Sequence, residues 1–559
     1  MAFGTDPVIK SYLDFLAAQR EERWEALGQY RDYEAGDATA QMTDDQKIML
    51  VGADTAGRPN SNPEFNINVC RPICAAPSDR LHVKGIRVSI PDQQELSDAI
   101  SAEVWRWWEA CGMNEGQQHV HYSAVRDGDS YPIVDHDGKQ PSVTLNMAYD
   151  GESGTEMAYQ DAHPGKPLYA AKRWDMQRPT VGNTTTNRVR RMNLYFEDRI
   201  EYYITKGMTA GSSESGWRRL DETDSDYKPD DMQEAVLTDP YGRQYTATVR
   251  WLTSDGAPTG APVGNPVRHM RHDARGNAYG RSRLADVVPG LNDAINRAGV
   301  SLQAAALLSG FKEVIITGFY PDVDRETGVN TAIRRSPSAM HYIEEKDVGV
   351  NTTPETDLNQ LISVLDKWIV IAATLTSTPL SLFNLTAHTP AEGTQKQLES
   401  ALVQSVKRLQ RGFGQVWQDV VRMMLKFDAL YSPDESAVVP IEAFDQIDDW
   451  DINIEWEPAE TRNNLEEREI AATDIAQLGM PKEFVWERFF GAEEIARMND
   501  MLSTRTNKAI GALAESIAEA ERAAQQAAAQ TTVTGTGPAV ATLPIAATTT
   551  TDEAVPNAA

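Results

Sequence analysis

Apolar positions along this chain fall into two regimes. Between Val143 and Arg250 they come in short alternating runs, at Val143–Met147, Leu168–Trp174, Arg191–Phe196, Ile200–Ile204 and Tyr245–Leu252. Such runs predict antiparallel strands separated by turns. From residue 281 the period becomes that of a helix. Leu284, Val287, Val288, Leu291, Ile295, Ala298 and Leu302 form one stripe, with Pro289 either kinking the helix or opening it at its first position. A second helix is predicted over Glu355–Thr376. A third and much longer one runs over Glu392–Phe427, with Leu398, Leu402, Val406, Leu409, Phe413, Val416, Trp417, Val420, Met424 and Leu425 on its stripe. If straight it spans about 50–55 Å, and Gly412 and Gly414 weaken it enough to place a bend there.

The connections are as informative as the helices. Residues 311–353 contain two apolar runs, Glu313–Tyr320 and Ala339–Glu344, around a charged turn. This strand-rich insert sits at the tip of an antiparallel helix pair. The polar, Pro-bounded segment Thr376–Pro390 is too long for a tight hairpin and reads as a presented loop.

Elsewhere, residues 8–35 read as helix ending at Gly36, and residues 66–81 as a Pro-interrupted element. Glu95–Ala110 reads as a helix whose Trp105, Trp107 and Trp108 cannot share one face. At least one of them packs on a neighbouring domain or subunit, or is half-exposed. Residues 119–134 read as helix, turn at Gly128, strand. Residues 207–232 read as a surface loop, 256–264 as a linker and 438–456 as a return to strand. Residues 459–526 read as helix in pieces, and the Thr/Ala/Pro-rich tail beyond Gln530 as disordered.

Charge narrows the function classes. The net charge is −29, and residues 431–500 hold 19 acidic against 5 basic residues, so about half the excess lies there. A chain this acidic is not a general nucleic-acid binder, though it can surround a polyanion without gripping it. Lys396, Lys407, Arg408 and Arg411 lie along the long helix. They form either a solvated face paired with Glu399 or a neighbour, or a surface facing a polyanion. Three cysteines, Cys70, Cys74 and Cys111, read as free thiols in a reducing compartment. No run of 18 apolar residues predicts a membrane span, and the N-terminus lacks the basic and apolar regions of a secretory signal. Phosphate-loop, zinc-protease, paired Cys-x-x-Cys and dinucleotide motifs are absent, and Asp135–Gly138 reads as a turn rather than a metal loop. No cofactor is called for.

Several stretches in fixed order resemble a known family. They are Tyr30–Gly36; Asn66–Cys74 through Asp79, Arg80 and Leu81; Gly280–Pro289 with Leu291–Asn296; Ile371–Leu380; Pro390–Gly393; Arg411–Trp417; and Ile454–Pro458. Together, over roughly residues 10–500, they resemble the portal proteins of long-tailed phages infecting actinobacteria.

The resemblance implies an α+β portal fold in a ring, usually of twelve subunits, with wing, stem, clip and crown. By that likeness the wing is 1–280, the stem helices 281–310 and 354–376, and the clip 311–353. The tunnel loop is 377–391, the long kinked helix and rest of the wing 392–458, the crown 459–530 and the tail 531–559. It implies a tunnel-loop surface of Leu380, Leu382, Phe383, Asn384, Leu385, His388 and Lys396, and an adaptor contact at Arg325, Arg334 and Arg335. It implies subunit packing through Leu291, Ile295, Leu365, Trp368, Phe413 and Trp417. The implied partners are copies of the chain, a head-tail adaptor, the terminase large subunit, the major capsid protein, a scaffold protein where one exists, and double-stranded DNA passing without sequence readout. No membrane partner is implied, and the place of work is the virion vertex after assembly in the host cytoplasm. An ordinary packing role for the loop stays open at this point. So do a metal-dependent nuclease or hydrolase with a composite site in 143–250, and another structural protein of the head.

Overall fold

In the computed structural model, residues 6–20, 23–37, 66–160, 166–178, 187–205, 216–285, 287–309, 314–317, 349–352, 357–383, 392–433 and 437–460 are described, with isolated positions elsewhere. The chain divides into two units, Met1–Thr461 and Arg462–Ala559. All that follows concerns the first. In the second, only scattered helical positions such as 471–473 are described, so the expected crown and tail lie outside the described residues.

The first unit is mixed α+β with antiparallel sheets. Helices α1 (Pro7–Arg20) and α2 (Arg23–Ala35) replace the single predicted helix. Helix α2 ends at Gly36 (φ +89°), where the Gly36 and Asp37 N–H groups both donate to the Asp32 carbonyl. Residues 66–69, outside any helix or strand, lead into α3 (Cys70–Ser78), and β1 (Val83–Ser89) follows. Helices α4 (Gln94–Ala110) and α5 (Met113–Asp127) come next. Trp107 and Trp108 are fully buried; Trp105 is half-buried and stacks on Trp108 with centroids 6.3 Å apart. The tryptophan that cannot share the buried face thus lies across its neighbour.

Strands β2 (Asp129–His136) and β3 (Pro141–Met147) form a hairpin. Its turn is Asp137–Gln140, where Asp137 Oδ1 accepts the Lys139 and Gln140 N–H groups. The predicted strand run then appears as β4 (Gly154–Tyr159), β5 (Pro167–Arg178), β6 (Asn187–Tyr195), β7 (Arg199–Thr205), β8 (Trp217–Arg219), β9 (Gln233–Thr238) and β10 (Gln244–Trp251). They make one sheet of order β4-β5-β6-β7-β10-β9, with β8 paired to β7. Helix α1 lays Val8, Ile9, Tyr12 and Leu16 on one face of this sheet, and the larger core fills the other.

Two loop expectations are corrected. Residues 217–219 are strand, because buried Trp217 gives the segment an anchor. Residues 256–264 are a docked turn, not a linker. Asp255 Oδ1 accepts the Ala257 N–H, Ser254 N–H bonds Ala261 O, and Gly264 N–H bonds Glu197 O.

A two-residue strand, β11 (Met270–Arg271), joins β2. Then come α6 (Val287–Ser309), a two-stranded antiparallel sheet of β12 (Val314–Thr317) and β13 (Gly349–Thr352), and α7 (Leu358–Leu375) packed against α6. Helix α8 (Glu392–Tyr431) runs unbroken through Gly412 and Gly414, and Gly414 lies against the Trp456 indole. A 3-10 segment, Ile441–Asp449, and β14 (Asp451–Trp456) close the unit. Strand β14 pairs with β1 from Val83↔Trp456 to Ser89↔Asp451, so the first and last of these strands share a sheet.

Candidate assembly and channel surface

The base of the helix pair is held by side chains that the stripe pattern treats as interruptions. Asn292 and Asn296 of α6 are buried, one turn apart. Asn292 Oδ1 accepts the Val69 N–H at 3.1 Å, and Asn296 bonds both backbone groups of Ile67. Between them, Asp293 accepts the Tyr33 hydroxyl at 3.1 Å. Asn68 Oδ1 accepts the Cys70 N–H at the start of α3, while its Nδ2 donates to Glu34 O. Segments 30–36, 66–74 and 291–296 therefore converge at one joint. Sequence reasoning missed both asparagines; the available signal was an Asn pair spaced i, i+4 within an apolar stripe.

Helix α7 starts at Asp357, whose carboxylate accepts the Asn359 N–H. It packs Ala372 and Ala373 inward, with Leu365, Trp368 and Ile369 half-buried. Yet Val364 (45% exposed), Ile371 (40%) and Leu375 (60%) face outward. Their i, i+7, i+11 spacing puts them within about 20° of one line along the helix. An apolar stripe this wide is more than α6 alone covers. By length and composition α7 also passes for a membrane span. Exposed Asp366 and Lys367 at mid-helix instead suit a protein surface.

The remaining candidates separate cleanly. Leu291, Ile295, Phe413 and Trp417 are buried inside the chain's own core. In the chain alone Ile295, Phe413 and Trp417 keep 1% of their surface or less and Leu291 keeps 8%. Leu365 and Trp368 keep part of theirs. Leu380 is half-buried and Leu382 is 52% exposed, on the 3-10 turn Leu380–Leu382; Phe383 packs against the core. Asn384, Leu385, His388, the Lys396 side chain, Arg325, Arg334 and Arg335 lie outside the described residues.

Helix α8 is bolted to the body by an aromatic and polar centre. Trp417 Nε1–H donates to His121 Nε2 at 2.9 Å, His121 Nδ1–H donates to Leu81 O at 3.0 Å, and Phe413 stacks on the imidazole at 5.5 Å. Burial pushes the His121 pKa down to about 3, so the ring is neutral. Along the outer face, Lys407 pairs with Glu460 at 2.7 Å and Gln410 bonds Glu457 O at 3.1 Å. Arg80 reaches both Glu399 and Ala459 O, each at 3.1 Å. Lys407 is thus spent on an ion pair within the chain, as the solvated-face alternative holds.

A body of antiparallel sheets carrying a helix pair with a partly exposed apolar flank defines an α+β fold. Comparison with known families takes this further. Residues 14–529 match the model described as "Phage portal protein, SPP1 Gp6-like", and the chain belongs to that family of structural, non-enzymatic proteins. It is similar to the portal protein of Mycobacterium phage L5, 21% identical over 357 residues, and to that of Mycobacterium phage D29, 22% identical over 353 residues. Each alignment spans 62% of this chain and 62% of the relative.

Proposed function

We propose that copies of this chain form the ring at one capsid vertex through which double-stranded DNA is packaged and ejected. In this reading the ring docks the terminase motor, the head-tail adaptor and the capsid shell. The observation that carries it is the outward flank of α7, set in a chain that belongs to the portal family. Val364, Ile371 and Leu375 gain burial when the same helix pair of a neighbour lies beside them. Such contacts are heterologous and close into a ring.

The parts follow the resemblance. Helices α6 and α7 are the stem, and the insert with β12 and β13 is the clip, where Arg325, Arg334 and Arg335 meet the adaptor. Segment 377–391 is the tunnel loop, to which Leu382 contributes an exposed apolar side chain. Residues 1–280 and 392–458 make the wing, and 459–530 the crown. A net charge of −29 gives a DNA polyanion no deep minimum on this protein, so the strand slides while a separate motor supplies work.

Capsids assembled with and without the chain test the proposal. With it, one vertex carries a ring and DNA enters on adding the motor and ATP. Packaging in its absence contradicts the proposal, as does a purified monomer that cleaves DNA with a divalent metal.

A further inference from the structure

Helix α7 ends in a motif that fixes the direction of the chain leaving it. The Thr378 N–H bonds Ala373 O at 2.9 Å and the Ser377 N–H bonds Thr374 O at 3.3 Å. Ser377 holds φ +53°, a left-handed conformation usually left to glycine. Thr376 Oγ1 donates to Ala372 O at 2.7 Å and meets Thr378 Oγ1 at 2.9 Å, and Thr378 is buried. With Ala372, Ala373 and Thr374 so engaged, the Thr376 carbonyl at the negative end of the helix is still free of the motif. The Arg283 guanidinium takes it, at 2.6 Å.

Arg283 is itself rigidly mounted. Its N–H bonds Val125 O at 2.9 Å at the end of α5, Ser282 Oγ donates to Arg126 O, and the next residue, Leu284, is fully buried. Arg283 makes no ion pair among the described residues, and its Nε is a buried donor without a partner. Burial pulls its pKa down, the mark of a cation placed in the protein without a carboxylate beside it. A Met or Leu fills such a volume at lower cost. What the guanidinium adds is a directed bond to the end of α7.

We propose that Arg283 is the positioning residue for the 377–391 loop: a strut from the body to the Thr376 carbonyl that sets where the loop starts and which way it leaves. The inference rests on the reading of that loop as a channel element. Ser377 is the second part of the device. Its left-handed turn aims the chain, and the strut keeps the turn from swinging with α7.

The test uses full-length rings carrying a spin label at an introduced Ala387→Cys, in a Cys111→Ser background; Cys70 and Cys74 are buried, with thiol pKa values pushed up. Arg283→Met removes the strut. Ser377→Pro forbids the left-handed turn at an exposed position and leaves the core alone. Both variants are expected to form rings, to raise label mobility about twofold or more, and to lower DNA retention in capsids roughly tenfold, the weight of one charge-assisted bond. Arg283→Lys, which can still reach a carbonyl, restores part of both, and the double variant is no worse than either single one. Unchanged label mobility in a folded Arg283→Met or Ser377→Pro ring overturns the proposal. So does failure of Arg283→Met to fold while Ser377→Pro behaves as the parent. Deleting 380–388 separates the two levels: normal packaging and retention after that deletion refute the channel reading, whereas label mobility reports on Arg283 either way.

Discussion

Asn296 pairs with Ile67 as a neighbouring strand would: its Oδ1 accepts the Ile67 N–H at 2.6 Å, and its Nδ2 donates to the Ile67 carbonyl at 3.2 Å. One side chain on a helix thus satisfies both backbone groups of a residue 229 positions away. Replacing it with Leu leaves both backbone groups of half-buried Ile67 without this partner. Asn296→Leu is expected to cost about 2–4 kcal/mol and Asn292→Leu, which gives up one such bond, about 1–2 kcal/mol. The ordering is checked by urea denaturation, and equal losses at the two sites count against the pairing.

The exposed flank of α7 yields a variant that separates folding from assembly. Ile371→Asp with Leu375→Asp places two carboxylates where a neighbour's apolar surface belongs. Protomer stability should move by no more than about 0.5 kcal/mol per site, because both positions face solvent in the chain alone. Ring assembly should be lost, read by sedimentation velocity. Rings that form normally in this variant remove α7 from the interface.

Stability should fall on mild acidification. His121 is held neutral in the fold with its pKa near 3, and His272, buried with Nδ1 at 2.6 Å from Arg281 O, near 4. The unfolded chain binds a proton at each below about pH 6.5, which the folded chain refuses. Their contribution is therefore whole above pH 6.5 and drains away as pH falls toward 4, at a limiting slope of about 1.4 kcal/mol per pH unit for each. Urea midpoints at pH 7.5, 6.0 and 5.0 follow this. His121→Gln, though less stable, should show a shallower slope; an unchanged slope means that His121 is not the titrating group.

Deleting 380–388 should spare ring formation and impair packaging or DNA retention. Rings that no longer form identify the segment as a packing element. Gel filtration and nuclease protection of encapsidated DNA read the two outcomes independently.

Much of this architecture is legible in the order of residues, for a physical reason. Alternation at 143–250 and the 3.6-residue stripes at 284–302, 355–376 and 392–427 record burial, and burial is what the fold preserves. The same record is blind to whose core is being filled. Phe413 and Trp417 lie on a stripe that reads identically whether it faces the chain's own His121 or a neighbour. Composition is blind in a similar way at 256–264. Glycine and proline mark a turn, but only the long-range bond from Gly264 to Glu197 shows that the turn is docked. Buried Asn292 and Asn296 read as polar breaks in a stripe, because their partners are backbone groups more than 200 residues away. The joint at Thr376–Thr378 carries no glycine to announce it.

The mass of the purified full-length chain in solution, by multi-angle light scattering with negative-stain images of the same peak, bears most directly on the central claim. Copies closed around an open axis give annular particles of several hundred kDa, about 740 kDa for twelve copies of a 61.8 kDa chain. A compact 62 kDa species that forms no annuli at high concentration or alongside capsid protein contradicts it.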